Sequence, residues 1–216
     1  MIEEIKIDEN TSIYKTKYNW EYSKENFIKR IYQSIKMNNH YQLKNLNGKG
    51  KGLYFANNYV TSFSCREYDS INNFILKTIS YEILKTEYNE WAVENFIYIN
   101  TGKNPKNEEE LEKMKEYEWH RHPVVYYDND DIKTDFVFTF YIQMPDNLTE
   151  DEGKIAFRTD NSNGLSFLPD AGDIFIFPDI DHSTCRLLSE KNKDRLLIAG
   201  NISLNPLAKI MNKKLV

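Results

Sequence analysis

Residues 22–38, YSKENFIKRIYQSIKMN, place apolar side chains at Phe27, Ile28, Ile31, Tyr32 and Ile35. That is the spacing of one face of a helix. Ser23 stands where a cap is needed, with Glu25 and Asn26 in the first turn. A second stripe runs through Ile71, Phe74, Ile75, Ile79, Ile83 and Leu84 and predicts a helix starting at Asp69 or Ser70. Between the two, NLNGKGKG (45–52) is a loop. LYFANNYVTSFS (53–64) is β-prone and is interrupted by its Asn-Asn pair. WAVENFIYIN (91–100) reads as a strand. The polar stretch 101–118 reads as a loop with a short solvated helix over Asn107–Glu116.

The period then changes. Val124–Tyr127, Asp135–Gln143, Gly153–Arg158, Ser166–Leu168, Asp173–Phe177 and Leu196–Ser203 are short β-type runs. Turn-forming clusters separate them: Asp128-Asn129-Asp130-Asp131, Pro145-Asp146-Asn147, Asn161-Ser162-Asn163-Gly164 and Pro169-Asp170-Ala171-Gly172. Short strands at regular spacing predict a sandwich or jelly roll. Helices preceding such a half pack on one face of an antiparallel sheet. The expected class is α+β. The expected organisation is one domain over 1–216, with a helical N-terminal part (1–90) and a β core (91–205).

Composition adds limits. A formal net charge of -5, with no long basic run, argues against a nucleic-acid partner. No apolar run is long enough for a membrane span, and the charged start MIEEIKIDEN is no signal peptide. Two cysteines, Cys65 and Cys185, make no metal or redox motif and fit a reducing compartment, so a cytoplasmic location is expected. Oligomeric state is open.

The chemistry concentrates in the β half. EWHRHP (118–123) holds two of the four histidines, His120 and His122. A His-x-His pair on a strand points both rings to one face. His182 follows about 60 residues on, after the strand Ile174–Phe177 and the bend begun by Pro178. Arg195 comes 13 residues later and opens the next strand. A jelly roll can bring His182 opposite the pair and so build a three-sided metal cap. The plain alternative is polar surface for the pair and an ordinary hydrogen-bonding role for His182. His40, in NNHYQ, lies outside the pattern and is expected at the surface.

In order along the chain stand WHRHP (119–123), FTFYIQMP (138–145), GKIAF (153–157), PDAGDIFIFPDIDHSTCRL (169–187) and RLLIAGNISLN (195–205). This set resembles the iron(II)- and 2-oxoglutarate-dependent dioxygenases of the prolyl-hydroxylase-like branch. It is especially similar to the bacterial and phage oxygenases whose first motif reads His-x-His-Pro. The resemblance covers about residues 91–205. It implies a double-stranded β-helix, a cupin-like jelly roll, that holds Fe(II) and uses 2-oxoglutarate and O2. His120 and His182 match two iron ligands, and His122 falls where most of the family has Asp or Glu. Arg195 matches the residue that pairs with the distal carboxylate of 2-oxoglutarate, and Tyr141 can donate a hydrogen bond to that carboxylate or be a core tyrosine. Asp128 is an alternative third ligand. Asp179 and Asp181 are expected to cap the bend before His182.

The implied reaction hydroxylates a co-substrate and releases succinate and CO2. The co-substrate, small-molecule or peptidyl, is not legible, and a host cytoplasm is implied if the chain is phage-encoded. Three neutral histidines also suit zinc. A non-catalytic jelly-roll binding or virion-associated module with a vestigial or zinc site is therefore the rival. A three-histidine cupin dioxygenase without 2-oxoglutarate is a third reading.

Overall fold

The computed structural model describes residues 1–36, 40–42, 57–61, 65–87, 90–127, 130–162 and 164–214, with backbone alone at 35, 40–42, 57–61 and 214. The expected loop at 45–52, much of the β-prone stretch 53–64, Asp128 and the side chain of His40 lie outside the described residues.

The two helical stripes form helices. α1 spans Lys24–Lys36, and Ser23 Oγ accepts from the Asn26 N–H at 3.2 Å. α2 spans Arg66–Lys77, ahead of the expected start at Asp69, and continues as a π-helical turn over Thr78–Ile83. The Thr78 hydroxyl donates to the Phe74 carbonyl at 2.8 Å in that junction.

Strands β1 (Glu3–Lys6), β2 (Ser12–Lys17), β3 (His40–Gln42), β4 (Asn57–Thr61), β5 (Trp91–Thr101), β8 (Phe136–Gln143), β11 (Asp173–Phe177) and β13 (Arg195–Leu204) form one antiparallel sheet. Its order is β1-β2-β11-β8-β13-β5-β4-β3. A second sheet, ordered β10-β9-β12, is made of β9 (Ile155–Arg158), β10 (Leu165–Phe167) and β12 (Asp181–Thr184). β6 (Val124–Tyr127) and β7 (Asp130–Lys133) make a separate hairpin. Two further helices, α3 (Glu108–Lys115) and α4 (Pro206–Lys214), lie outside the sheets. No helix among the described residues is long and apolar enough to cross a membrane.

Side chains alternate across a strand, so the large sheet serves two cores. On its outer face Phe138, Phe140, Ile174, Ile176, Leu196 and Ile198 pack against Phe27 and Ile31 of α1 and Ile71 and Ile75 of α2. On its inner face Val137, Tyr141, Phe175, Phe177 and Leu197 meet Ile155 and Phe157 of the small sheet. Each such buried aliphatic or aromatic side chain contributes about 1.5–3 kcal/mol. The expected helices on one face of an antiparallel sheet, with a jelly-roll core behind it, are what the chain builds.

Three differences have physical causes. The N-terminal part also contributes β1 and β2. β2 pairs with β11, Phe175 opposite Lys15, and so covers an edge of the central strands. Lys15 is held there by Asp173 at 2.9 Å and by the Phe175 ring. β1, short and charged, then becomes the new edge, a composition that resists pairing with another chain. The second difference is β7, which begins inside the expected turn at Asp130, with Ile132 buried in the hairpin's own cluster. The third is β12: after the expected bend the chain resumes as a strand, Asp181–Thr184, with His182 paired to Phe157 of β9.

The Pro169–Asp173 turn launches β11. Gly172 has φ +100, a conformation that strains any residue with a Cβ. Its N–H donates to the Tyr141 carbonyl at 2.7 Å, and its carbonyl accepts from Tyr18 at 2.9 Å.

Glu152, 2 % exposed, ties the β8–β9 connection to the segment before β13. It accepts from Lys191 Nζ, the Leu188 N–H and the Thr149 hydroxyl at 2.8–3.1 Å. Burial raises its pKa, but these bonds outweigh burial and hold it below the usual carboxylate value. Glu152→Ala strands the buried Lys191 ammonium, and a loss of about 3–5 kcal/mol is expected in urea unfolding at pH 7. The carboxylate contributes above its unfolded pKa, and the contribution is lost as pH falls through the folded value. The gap between wild type and variant therefore narrows toward pH 4.

Candidate metal centre

The site begins with a backbone contact. His120 N–H donates to the His182 carbonyl at 3.1 Å and His182 N–H to the His120 carbonyl at 3.1 Å. This single bridge extends the small sheet beyond β12 by one residue of the EWHRHP segment. Residues 121–123 leave the ladder, so the His-x-His pair sits on a bridge and the loop after it, not inside a continuous strand.

Neighbouring groups hold that loop. The His122 N–H donates to Asp179 Oδ1 at 2.8 Å. Asp181 accepts from Arg121 Nε at 2.7 Å and from Arg158 Nε at 3.2 Å. Arg121, with help from Arg158, keeps the Asp181 carboxyl below its ordinary pKa against the opposing effect of burial. The Arg158 guanidinium also lies 4.3 Å from the centroid of the Trp119 ring. Asp179 and Asp181 were expected to cap the bend; instead they clamp the histidine loop across the chain from it. Neither was legible in that role, because their partners in the loop, His122 and Arg121, lie 57 and 60 residues away.

The three rings converge. Centroids are 4.4 Å apart for His120–His182 and 5.1 Å for each of the other two pairs. One nitrogen from each residue lies within 4.8 Å of the others. The Nδ1 atoms of His120 and His182 sit 2.9 and 3.0 Å from the carbonyls of Glu118 and Ile180. A carbonyl only accepts, so each Nδ1 carries the proton and each Nε2 keeps a lone pair for a metal. Burial lowers the pKa of all three histidines: His122 to about 4, His182 well below the ordinary value, and His120 despite the charge of Asp181. They are neutral at pH 7, the state a metal ligand requires.

Arg195 and Tyr141 share the inner face of the large sheet. Leu197, inward-facing, is the next residue but one after Arg195 and pairs with Tyr141. The ladder between β13 and β8 slips by one residue here, a bulge of the kind that re-aims side chains. Arg195 is 4 % exposed, and it donates through Nε to Asn100 Oδ1 at 3.0 Å and through Nη1 to the Cys185 carbonyl at 2.7 Å. Burial lowers its pKa, offset in part by Tyr141 and Cys185. Tyr141 is fully buried, and its hydroxyl has no hydrogen-bond partner of good geometry, although it adjoins the Thr139 hydroxyl, itself unpartnered. Burial pushes the Tyr141 pKa up, so the group remains a donor. At the other end of this face, Phe177 packs edge-on to His182 with centroids 4.8 Å apart. Phe177, Tyr141 and Arg195 thus share the inner face of the large sheet, and the histidine cluster packs on it through Phe177.

No protein-family model matches the chain, and no curated protein sequence matches it. Solved structures do. A prolyl-4-hydroxylase from Pseudomonas putida superposes with a TM-score of 0.51 at 9% identity, over 91% of this chain and 94% of its own. A prolyl hydroxylase from Trichoplax adhaerens, in complex with a hypoxia inducible factor oxygen degradation domain peptide fragment, gives 0.56 at 8% identity, over 92% and 86%. The large helix-backed sheet, the small sheet facing it and the histidines at their junction therefore place this chain on the double-stranded β-helix fold of the prolyl hydroxylases.

Proposed function

We propose that the protein is an Fe(II)- and 2-oxoglutarate-dependent oxygenase, with residues 91–205 as its catalytic core. The observation that carries the reading is the buried Tyr141 hydroxyl, which has only the Thr139 hydroxyl beside it and lies next to the Arg195 guanidinium on the inner face. A buried donor without an acceptor costs about 1–3 kcal/mol unless a ligand supplies one. A carboxylate there would satisfy Tyr141 and neutralise Arg195, and a dicarboxylate keto acid has a second end for the metal.

His120, His122 and His182 would hold the ion. Bound there, Fe(II) would supply activation of O2, coupling oxidative decarboxylation of 2-oxoglutarate to C–H hydroxylation. One O2 is consumed, one oxygen atom enters succinate and the other the co-substrate, and CO2 leaves. The protein's own contribution is placement. Arg195 and Tyr141 fix the distal carboxylate, Asn100 and the Cys185 carbonyl fix Arg195, and Phe177 excludes water beside His182. The buried free thiols of Cys65 and Cys185 support a reducing compartment, the cytoplasm.

A zinc-holding binding module is the second reading, favoured by the absence of a carboxylate among the three clustered ligands. It gives no reason to place an arginine and an unpartnered tyrosine hydroxyl on the same lining.

Anaerobic protein given Fe(II) and then 2-oxoglutarate is expected to show the weak visible charge-transfer band of the bidentate complex. With O2 it is expected to form succinate above a no-enzyme control. Zinc in the purified protein, with neither band nor succinate after exchange for iron, would select the binding module. Arg195→Lys loses the planar fork and is expected to weaken 2-oxoglutarate binding at least tenfold, measured by titration of the band. His182→Ala is expected to abolish metal binding in equilibrium dialysis, and unchanged stoichiometry would discard the ligand set. His122→Asp is expected to retain iron.

Because burial lowers the proton affinity of these histidines, protons compete poorly with the metal. Dialysis is expected to show the acid fall in affinity centred below the ordinary histidine value, since all three histidines are shifted down. A fall centred at the ordinary histidine pKa, about 6.5, would contradict this.

A further inference from the structure

We propose that Glu94 and Asn201 form the co-substrate subsite of this oxygenase and that it takes a cationic nitrogen group, an alkylammonium or a guanidinium. The inference rests on the oxygenase reading.

Asn201 lies on β13 two positions beyond inward-facing Ala199 and so points into the same inner layer. It is 9 % exposed, and its Oδ1 has no hydrogen-bond partner. Its register partner on β5 is Glu94, and its partner on β8 is Val137. Val137 in turn pairs with Phe177, which packs on His182. The row Phe177, Val137, Asn201, Glu94 therefore crosses the inner face at the level of the histidine cluster. Strands in a sheet lie about 5 Å apart, so Asn201 is about 10 Å from the Phe177 strand and Glu94 one strand further. Tyr141 and Arg195 occupy rows further along the strands in one direction, and in the other the β6–β7 hairpin packs on Ala92, so the Asn201–Glu94 row lies between the two.

The Glu94 carboxylate and the unpartnered Asn201 Oδ1 are both acceptors. Among the described residues no lysine or arginine forms an ion pair with Glu94. Tyr98, the next inward residue but one on β5, registers the carboxylate: burial first, and then the Glu94 charge, push its hydroxyl pKa up to about 12. Its hydroxyl thus stays protonated and adds no second charge, while its ring offers an apolar wall to an alkyl stem. A half-buried carboxylate opposite an unpaired amide oxygen favours a ligand with several N–H donors and a positive charge. A neutral C–H substrate would leave Asn201 Oδ1 unsatisfied, and an anion would face Glu94.

The test separates this subsite from the oxygenase reading. Anaerobic protein is loaded with Fe(II) and 2-oxoglutarate, and the visible band reports whether that reading holds. Calorimetric titrations then compare Nα-acetyl-lysine amide and Nα-acetyl-arginine amide with their neutral counterparts, the norleucine and citrulline amides. Free lysine and arginine distinguish a metabolite from a peptidyl side chain. At least one cationic probe is expected to bind tenfold or more tightly than its neutral counterpart. Glu94→Gln is expected to remove that preference and Glu94→Asp to restore part of it, each with an unfolding curve to show that the variant is folded. Asn201→Leu is expected to weaken the same probe severalfold. Equal binding of cationic and neutral probes, no binding of either cation, or a preference unaffected by Glu94→Gln would overturn the subsite. A cation preference without the band would keep the subsite and discard the oxygenase.

Discussion

The two-residue repeat of the strand backbone, applied to strands buried on both sides, is the constraint on which the molecule depends. β8, β11 and β13 send every second side chain to the helices and the others to the small sheet. The outer set is almost wholly aliphatic and aromatic, because it meets only helix stripes. The inner set must also make a site, and polar exceptions fall there, among them Thr139 and Tyr141 on β8, Asp173 on β11, and Arg195, Asn201 and Ser203 on β13. A slip of one residue in register would exchange these sets, burying Arg195 against Ile71 and Ile75. The Gly172 turn and the β2–β11 pairing, which pin β11, thus also hold the site in place.

Much of the fold was legible because it follows from local periodicity. The stripes of α1 and α2, the β5 run and the six later β-type runs each carry their period within a few residues. Those that failed depend on distant partners. β2 reads as a polar stretch until Phe175 and Asp173 are opposite it. β7 was hidden by the aspartates before Ile132, whose burial comes from Val125 in the facing strand. β12 was hidden because only four residues, Asp181–Thr184, follow the bend begun by Pro178, and only β9 opposite them shows that pairing resumes.

The same division runs through the site. The grouping of His120, His122 and His182 follows from the His-x-His spacing and the single later histidine, whereas Arg195 and Tyr141 are singled out only by the resemblance to the dioxygenases. Asp179 and Asp181, which hold the histidine loop, and Asn100, which holds the arginine, were not legible, because nothing local marks a carboxylate or amide as a support. Asn201 gave one usable signal, an amide inside an otherwise apolar run, LLIAGNISL. A polar residue in such a run is costly unless something satisfies it.

The third histidine bears on that amide and on Glu94. A carboxylate in its place would bring one negative charge to the metal itself. The proposed set of three neutral imidazoles would add none. A divalent ion and a dianionic keto acid then balance, and the field felt by a second molecule is set by what else lines the inner face. There Glu94 is the carboxylate at the level of the histidines, one strand from Asn201. Moving the negative charge from the metal to the wall of the cavity exchanges a ligand for a recognition element. It also gives His122→Asp a second consequence: a charge added beside the metal makes the cavity more negative, so a bound cation gains attraction even if the iron is held no better.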